Sequence, residues 1–258
     1  MSNEKHTIRI ITNHPVAEDS PDHLAPLGCV NDNTTTPHYT AWVCNMIGKS
    51  GKYLDLGCAG GGAVMDVARA GVSLSMGLEG STHPRNAPQA AGHENWTRYE
   101  GTNLFTCDIS KPFAIVNDRG PLLTFDLISA WELLEHLKEH DVAKFMKNVW
   151  SHLAPGGYFI ASICPNLCHG SGMFGLGDGN EHHRHQTVRP LSYWREIILK
   201  DYERYEIPAE KVISRKQFLR NVGNDDDVYV LQKPNSANKL ADLVLGWDWD
   251  KVWEEETS

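Results

Sequence analysis

The sequence has no run of apolar residues approaching the roughly 18 that a membrane-crossing helix needs. Met1-Ser2-Asn3-Glu4-Lys5-His6 does not have the charged-then-apolar build of a secretory leader, so a cytoplasmic protein without membrane contact is expected. Tight cysteine pairs are missing as well. The six cysteines are scattered, none spaced more closely than Cys164 and Cys168, and in a reducing compartment they are expected as thiols. Positive charge is scarce: 24 Lys and Arg stand against 33 Asp and Glu, a formal net charge of −9. A nucleic-acid partner normally needs a basic face, so a small-molecule substrate is the expectation instead. What remains, 258 residues at 41% hydrophobic and 22% charged, is globular material sufficient for one α/β domain or two small ones.

One stretch organises the rest. Lys52-Tyr53-Leu54-Asp55-Leu56 is an apolar run that fits a buried strand, Gly57-Cys58-Ala59-Gly60-Gly61-Gly62 is a glycine-rich turn, and Ala63, Val64, Val67 and Ala68 follow at helical spacing. Glycines there let the backbone close on a ligand. The order G-x-x-G-G-G is not the G-x-G-x-x-G of a pyrophosphate site, and Asp55 would repel a phosphate. An acid beside the turn suits a cation.

Asp55-Leu56-Gly57-Cys58-Ala59-Gly60-Gly61 resembles the first motif, D-x-G-x-G-x-G, of class I S-adenosylmethionine methyltransferases, with Ala59 where a glycine is common. The resemblance implies that Asp55, Gly57, Cys58, Ala59 and Gly60 hold the aminoacyl part of that sulfonium cofactor. Ser73 to Gly80 reads as a second strand ending in Glu79, an acid placed to take both ribose hydroxyls. Asn103 to Ile109 reads as a third. By resemblance Asp108 accepts from the adenine amino group, with Cys107 or Ile109 alongside the ring; as a residue alone, Asp108 equally fits a loop cap. Trp131, ending a fourth strand at 124–131, completes the expected cofactor set. Tyr39 or Trp42, on a helix expected from Pro37 to Ile47, could face the ligand or the core.

Residues 137–153 carry Val142, Phe145, Met146, Val149 and Leu153 on one helical face. Ala154-Pro155-Gly156-Gly157 is expected to stop that helix before a fifth strand at 158–163. A helix at 190–200 and runs at 204–207 and 227–232 close the pattern. Alternating strands and helices predict an α/β, Rossmann-like, doubly wound sheet. The resemblance sharpens this to seven strands, mostly parallel, the last antiparallel, with helices on both faces. Residues 5–12 suit a short strand, and 13–36 hold loop chemistry with no element expected. The divisions expected are an arm or lid at 1–36, a catalytic domain at 37–233, and a tryptophan-rich tail at 234–258.

Trp131-Glu132-Leu133-Leu134-Glu135-His136 begins at the edge where ligands of open α/β sheets bind. Glu132 and Glu135 are three apart, and His136 follows directly. Two carboxylates and an imidazole suit Mg²⁺, Mn²⁺ or Zn²⁺. This E-x-x-E-H resembles ubiquinone-biosynthesis O-methyltransferases and small-RNA 2′-O-methyltransferases, which implies a metal held by Glu132, Glu135 and His136, with a downstream histidine in the RNA enzymes. His185 is the first choice for that place and His183 the second. The same histidines, His136 or His185, with Glu135 beside them, are the candidate catalytic residues if no metal binds. A separate zinc arrangement would use Cys164, Cys168 and His169 with His182 or His183. The leading expectation is methyl transfer from S-adenosylmethionine to a hydroxyl of a small molecule. An RNA 2′-hydroxyl acceptor and a non-catalytic binding module are the alternatives.

Overall fold

The computed structural model describes residues 7–117, 120, 122–163, 185–199, 203–204 and 228–235. In chain order the elements are β1 (Ile8–Ile11), α1 (Pro21–Leu24), α2 (Leu27–Asn31), α3 (Pro37–Ile47), β2 (Lys52–Leu56), α4 (Gly62–Arg69), β3 (Leu74–Glu79), α5 (His83–Asn86), α6 (His93–Tyr99), β4 (Leu104–Thr106), β5 (Ala114–Asn117), β6 (Phe125–Trp131), a 3₁₀ turn (Leu134–His136), α7 (Glu139–His152), β7 (Leu153–Ser162), α8 (Leu191–Leu199), β8 (Glu203–Arg204) and β9 (Val228–Gln232). Cys164, Cys168, His169, His182 and His183, the glycine-rich run 170–179, residues 205–207 and the tail from 236 onward lie outside the described residues.

The main sheet has seven strands in the order β4-β3-β2-β6-β7-β9-β8. β9 runs antiparallel to both β7 and β8, and the other pairings are parallel. Strands buried on both faces read as unbroken apolar runs, which is why 52–56 was recognisable. Alternate residues of each strand serve opposite layers. Leu54, Leu56, Ile128 and Phe159 join Phe145, Val149 and Trp194 from α7 and α8 on one face. Tyr53, Leu127 and Ile160 join Trp42, Val43, Val64 and Val67 from α3 and α4 on the other. Strand order reverses at β2, whose sequence successor β3 lies on one side and β6 on the other. A crevice therefore opens outside the carboxyl ends of β2 and β6, where ligands of such sheets sit.

Three elements differ from the sequence expectations. The fifth strand of that reading, β7, begins at Leu153, directly after α7, so Pro155-Gly156-Gly157 lies inside the strand. It forms a register shift against β6, with Gly156 at φ 74 and hydrogen-bonded to the carbonyl of Lys233. The stretch 13–36 is not featureless: Ser20 caps the short α1 by accepting from the His23 amide, and α2 packs Cys29 and Val30 on Ala59 and Ala90. β5, unrecognised in the sequence, pairs antiparallel with β1 as a separate two-stranded sheet.

From that small sheet the N-terminal segment crosses the carboxyl edge of the main one. The His14 carbonyl accepts from the Asp108 amide, the Ala17 amide donates to Gly80, and the Val30 and Asp32 carbonyls accept from the amides of Ala91 and Gly60. The approach at the glycine turn is close: a Cβ on Gly60 would meet the Asp32 oxygen at 2.6 Å and the Gly92 Cα at 2.8 Å. Glycine is required at 60 for that reason.

Candidate active site

The crevice between β2 and β6 is a pocket whose walls include Asp32, Thr34 and Thr36 from the N-terminal segment, Tyr39 from α3, Asp55, Gly57 and Cys58 from the turn, and Trp131 from β6. Asp55 is buried at the end of β2, where Ser129 donates to its Oδ1 at 2.6 Å. Tyr53 shares a hydrogen bond with the Ser129 hydroxyl at 2.7 Å, and Tyr39 donates to Tyr53 at 3.3 Å. This buried polar chain fixes the carboxylate from below. Trp131 stands edge-on to Tyr39, ring centroids 5.0 Å apart. Trp42 belongs to the core beneath α3, so of the two aromatics on that helix it is Tyr39 that lines the pocket.

Ala59 sits in the turn at φ 44, left-handed backbone that costs a side-chain-bearing residue about 1 kcal/mol. Its amide donates to Glu79 Oε2 at 2.8 Å, and its carbonyl accepts from the Trp96 indole. Glu79 is buried at the end of β3 and accepts a second bond from the Ser81 amide at 2.9 Å. Burial pushes its carboxyl up to about 7, against the two backbone bonds that favour the ionised form; the charges of Asp22 and Asp55 add to the rise. Asp108, half-buried past β4, accepts from the Ser110 amide and hydroxyl through Oδ1, so it caps its own loop. Cys107 and Ile109 pack in the main core.

The 3₁₀ turn after β6 gathers the remaining candidates. Glu135 is fully buried, and its carbonyl accepts from the Gln186 and Thr187 amides. Thr187 also donates to the Leu137 carbonyl, so the segment leading into α8 is tied to the turn, with His185 beside it. One ligand atom from each of Glu135, His136 and His185 lies within 4.8 Å of the others, and the two imidazole centroids are 5.0 Å apart. Glu132 is not in this group. It is exposed, its backbone held at φ 48 with its amide donating to Ser162, a strained conformation of the kind that collects at functional sites.

A residue the sequence did not reveal completes the cluster. Asp22, on α1, lies with Oδ2 2.7 Å from His136 Nδ1. Burial opposes a charged imidazole, but the Asp22 hydrogen bond and the charges of Asp22, Glu135 and Glu132 prevail and hold the His136 pKa above its ordinary value. No local pattern could have found Asp22, 114 positions from its partner.

The parallel sheet with its antiparallel penultimate strand, the acid-flanked turn and the pocket at the switch point define a class. The chain matches the methyltransferase domain family over residues 45–198, more than half its length, and belongs to it. It is an S-adenosylmethionine-dependent methyltransferase. Similar solved structures include the N-methyltransferase NodS from Bradyrhizobium japonicum with S-adenosyl-L-homocysteine (18% identity, 80% of this chain and 94% of that one, TM-score 0.47). Another is phosphoethanolamine N-methyltransferase 2 from Haemonchus contortus with S-adenosyl-L-methionine (18% identity, 80% and 55%, TM-score 0.48). A third is an S-adenosylmethionine-dependent methyltransferase from Clostridium acetobutylicum (21% identity, 50% and 51%, TM-score 0.36). No curated protein matches the chain significantly. Among the described residues no helix is long and apolar enough to cross a membrane.

Proposed function

We propose that this methyltransferase methylates a hydroxyl oxygen of a small molecule, a sugar or another metabolite. The observation that supports this reading is the convergence of Glu135, His136 and His185 at the end of β6, beyond the pocket wall formed by Trp131. A hydroxyl is a weak nucleophile at neutral pH, and a positioned base supplies what it lacks. S-adenosylmethionine provides, when bound, a methyl group on an electron-poor sulfur. Asp55, Gly57, Cys58, Ala59 and Gly60 are assigned to its aminoacyl end, Glu79 to the ribose, Asp108 and Ile109 to the adenine, and Trp131 to the pocket wall. His136 takes the hydroxyl proton as the oxygen–methyl bond forms and the sulfur–methyl bond breaks. Glu135 and His185 flank it and fix where the acceptor oxygen can lie.

The same three side chains, one carboxylate and two imidazoles, fit Mn²⁺ or Zn²⁺ better than Mg²⁺, and three protein donors leave positions open for substrate. Such an ion supplies acidification of the bound hydroxyl. Glu132 lies outside the group and drops out of the proposed ligand set. A panel of hydroxyl and amine acceptors with methyl-labelled cofactor tests the reading. Label on oxygen that is lost in His136→Gln supports it, and label confined to nitrogen or carbon overturns it. Chelation separates the two forms of the proposal, since turnover that ignores chelators leaves His136 as a plain base.

A further inference from the structure

We propose that Asp22 is a positioning residue for His136, so that the N-terminal segment supplies part of the active site rather than only covering it. The proposal rests on the assignment of His136 above and extends it to an element outside the span of the family match.

The geometry is specific. A contact of 2.7 Å between a carboxylate oxygen and Nδ1 requires the imidazole proton on Nδ1, because two bare acceptors would repel at that distance. In the neutral ring the lone pair is thereby placed on Nε2, the nitrogen that Asp22 leaves available. Either role of His136 needs this. A base must present its lone pair to the substrate hydroxyl, and a metal ligand must present it to the ion. A carboxylate behind a ligating or catalytic histidine fixes both tautomer and ring orientation.

Asp22 is itself well held. Its helix begins with the buried Pro21 and the Ser20 cap, and its carbonyl accepts from the Cys29 thiol. Upstream, the Ala17 amide is bonded to Gly80 at the end of β3. The carboxylate thus reaches His136 from a segment anchored on the cofactor-binding edge.

The test uses the full chain labelled with ¹⁵N-histidine, read by long-range proton–nitrogen correlation at a pH where the imidazoles are neutral, with His136→Gln to assign the signal. Wild type is expected to carry the His136 proton on Nδ1, and Asp22→Ala to move it to Nε2, the form favoured by an unpartnered imidazole. Asp22→Glu should restore part of the Nδ1 form. With an acceptor in hand, Asp22→Ala should lower kcat about 10- to 100-fold while KM for the cofactor changes little. A wild-type His136 protonated on Nε2 overturns the proposal without any variant. An Asp22→Ala spectrum identical to wild type overturns it equally. If the tautomer switches as expected but label never reaches an oxygen, the hydroxyl reading fails and the role of Asp22 stands.

Discussion

At the scale of single residues, Ala59 carries a methyl group in left-handed backbone, where the family motif places glycine. That methyl also packs beside Cys29, Val30 and Ala90, which offsets part of the strain. Ala59→Gly is therefore expected to leave stability unchanged or raise it by up to about 1 kcal/mol. Ala59→Val should cost at least ~2 kcal/mol, since a β-branched residue is excluded from that backbone; thermal unfolding of both variants checks this. Glu79 makes a pH-dependent case. With its carboxyl raised to about 7, its contribution to stability is complete below its unfolded value and is lost as pH rises through about 7. Ribose hydroxyls would donate to the ionised form, so S-adenosylhomocysteine should bind more tightly at pH 8 than at pH 6. Calorimetry near pH 7 in two buffers of different ionisation enthalpy should show proton release. Glu79→Ala should weaken binding by about 1.5–3 kcal/mol and abolish the pH effect. Asp55 and Glu79 were legible because each ends an apolar run at the sheet's carboxyl edge. Asp22 was not, because its role exists only after β1 and α1 have been carried across that edge.

At the scale of elements, α7 is fastened at its C-terminus by groups that local pattern does not announce. His152 is fully buried, donates through Nδ1 to the Asn148 carbonyl and accepts at Nε2 from the Ile115 amide, with Phe113 stacked at 4.7 Å. Burial lowers its pKa to about 4, aided by Lys233 and opposed by the Asn148 bond. The unfolded chain then binds the extra proton, so this stability is present above about pH 6.5 and disappears as pH falls through 4. His152→Gln, which keeps one donor and one acceptor, should flatten the fall of melting temperature across that window. Lys233 donates to the Trp150 and Leu153 carbonyls, closing the helix end from β9. The parallel strands were readable as apolar runs, and α3 as a proline-started periodic segment. Residues 81–101 carry no readable periodicity, because α5 has one turn and α6 a single buried anchor, Trp96. β7 was placed late because Pro155-Gly156-Gly157 has the composition of a loop yet is held in the sheet by Lys233 and Gln232.

At the scale of the whole molecule, the sheet places the pocket beside Asp55 and the Glu135–His136–His185 cluster on one edge, and residues 8–36 run from β1 across that edge. Their partners come late in the chain: Ile8 faces Asn117, and Asp22 reaches His136. Closing loops of that length before any contact rewards them is entropically costly. β1 and Asp22 therefore close loops of more than a hundred residues when the segment docks. It should be the last part to gain protection in pulse-labelled hydrogen exchange, with the Gly60 and Ala91 amides, which donate to it, closing in the same late phase. Position along the chain and order of assembly therefore differ, and the surroundings of His136 are complete only once this segment has settled over the sheet edge.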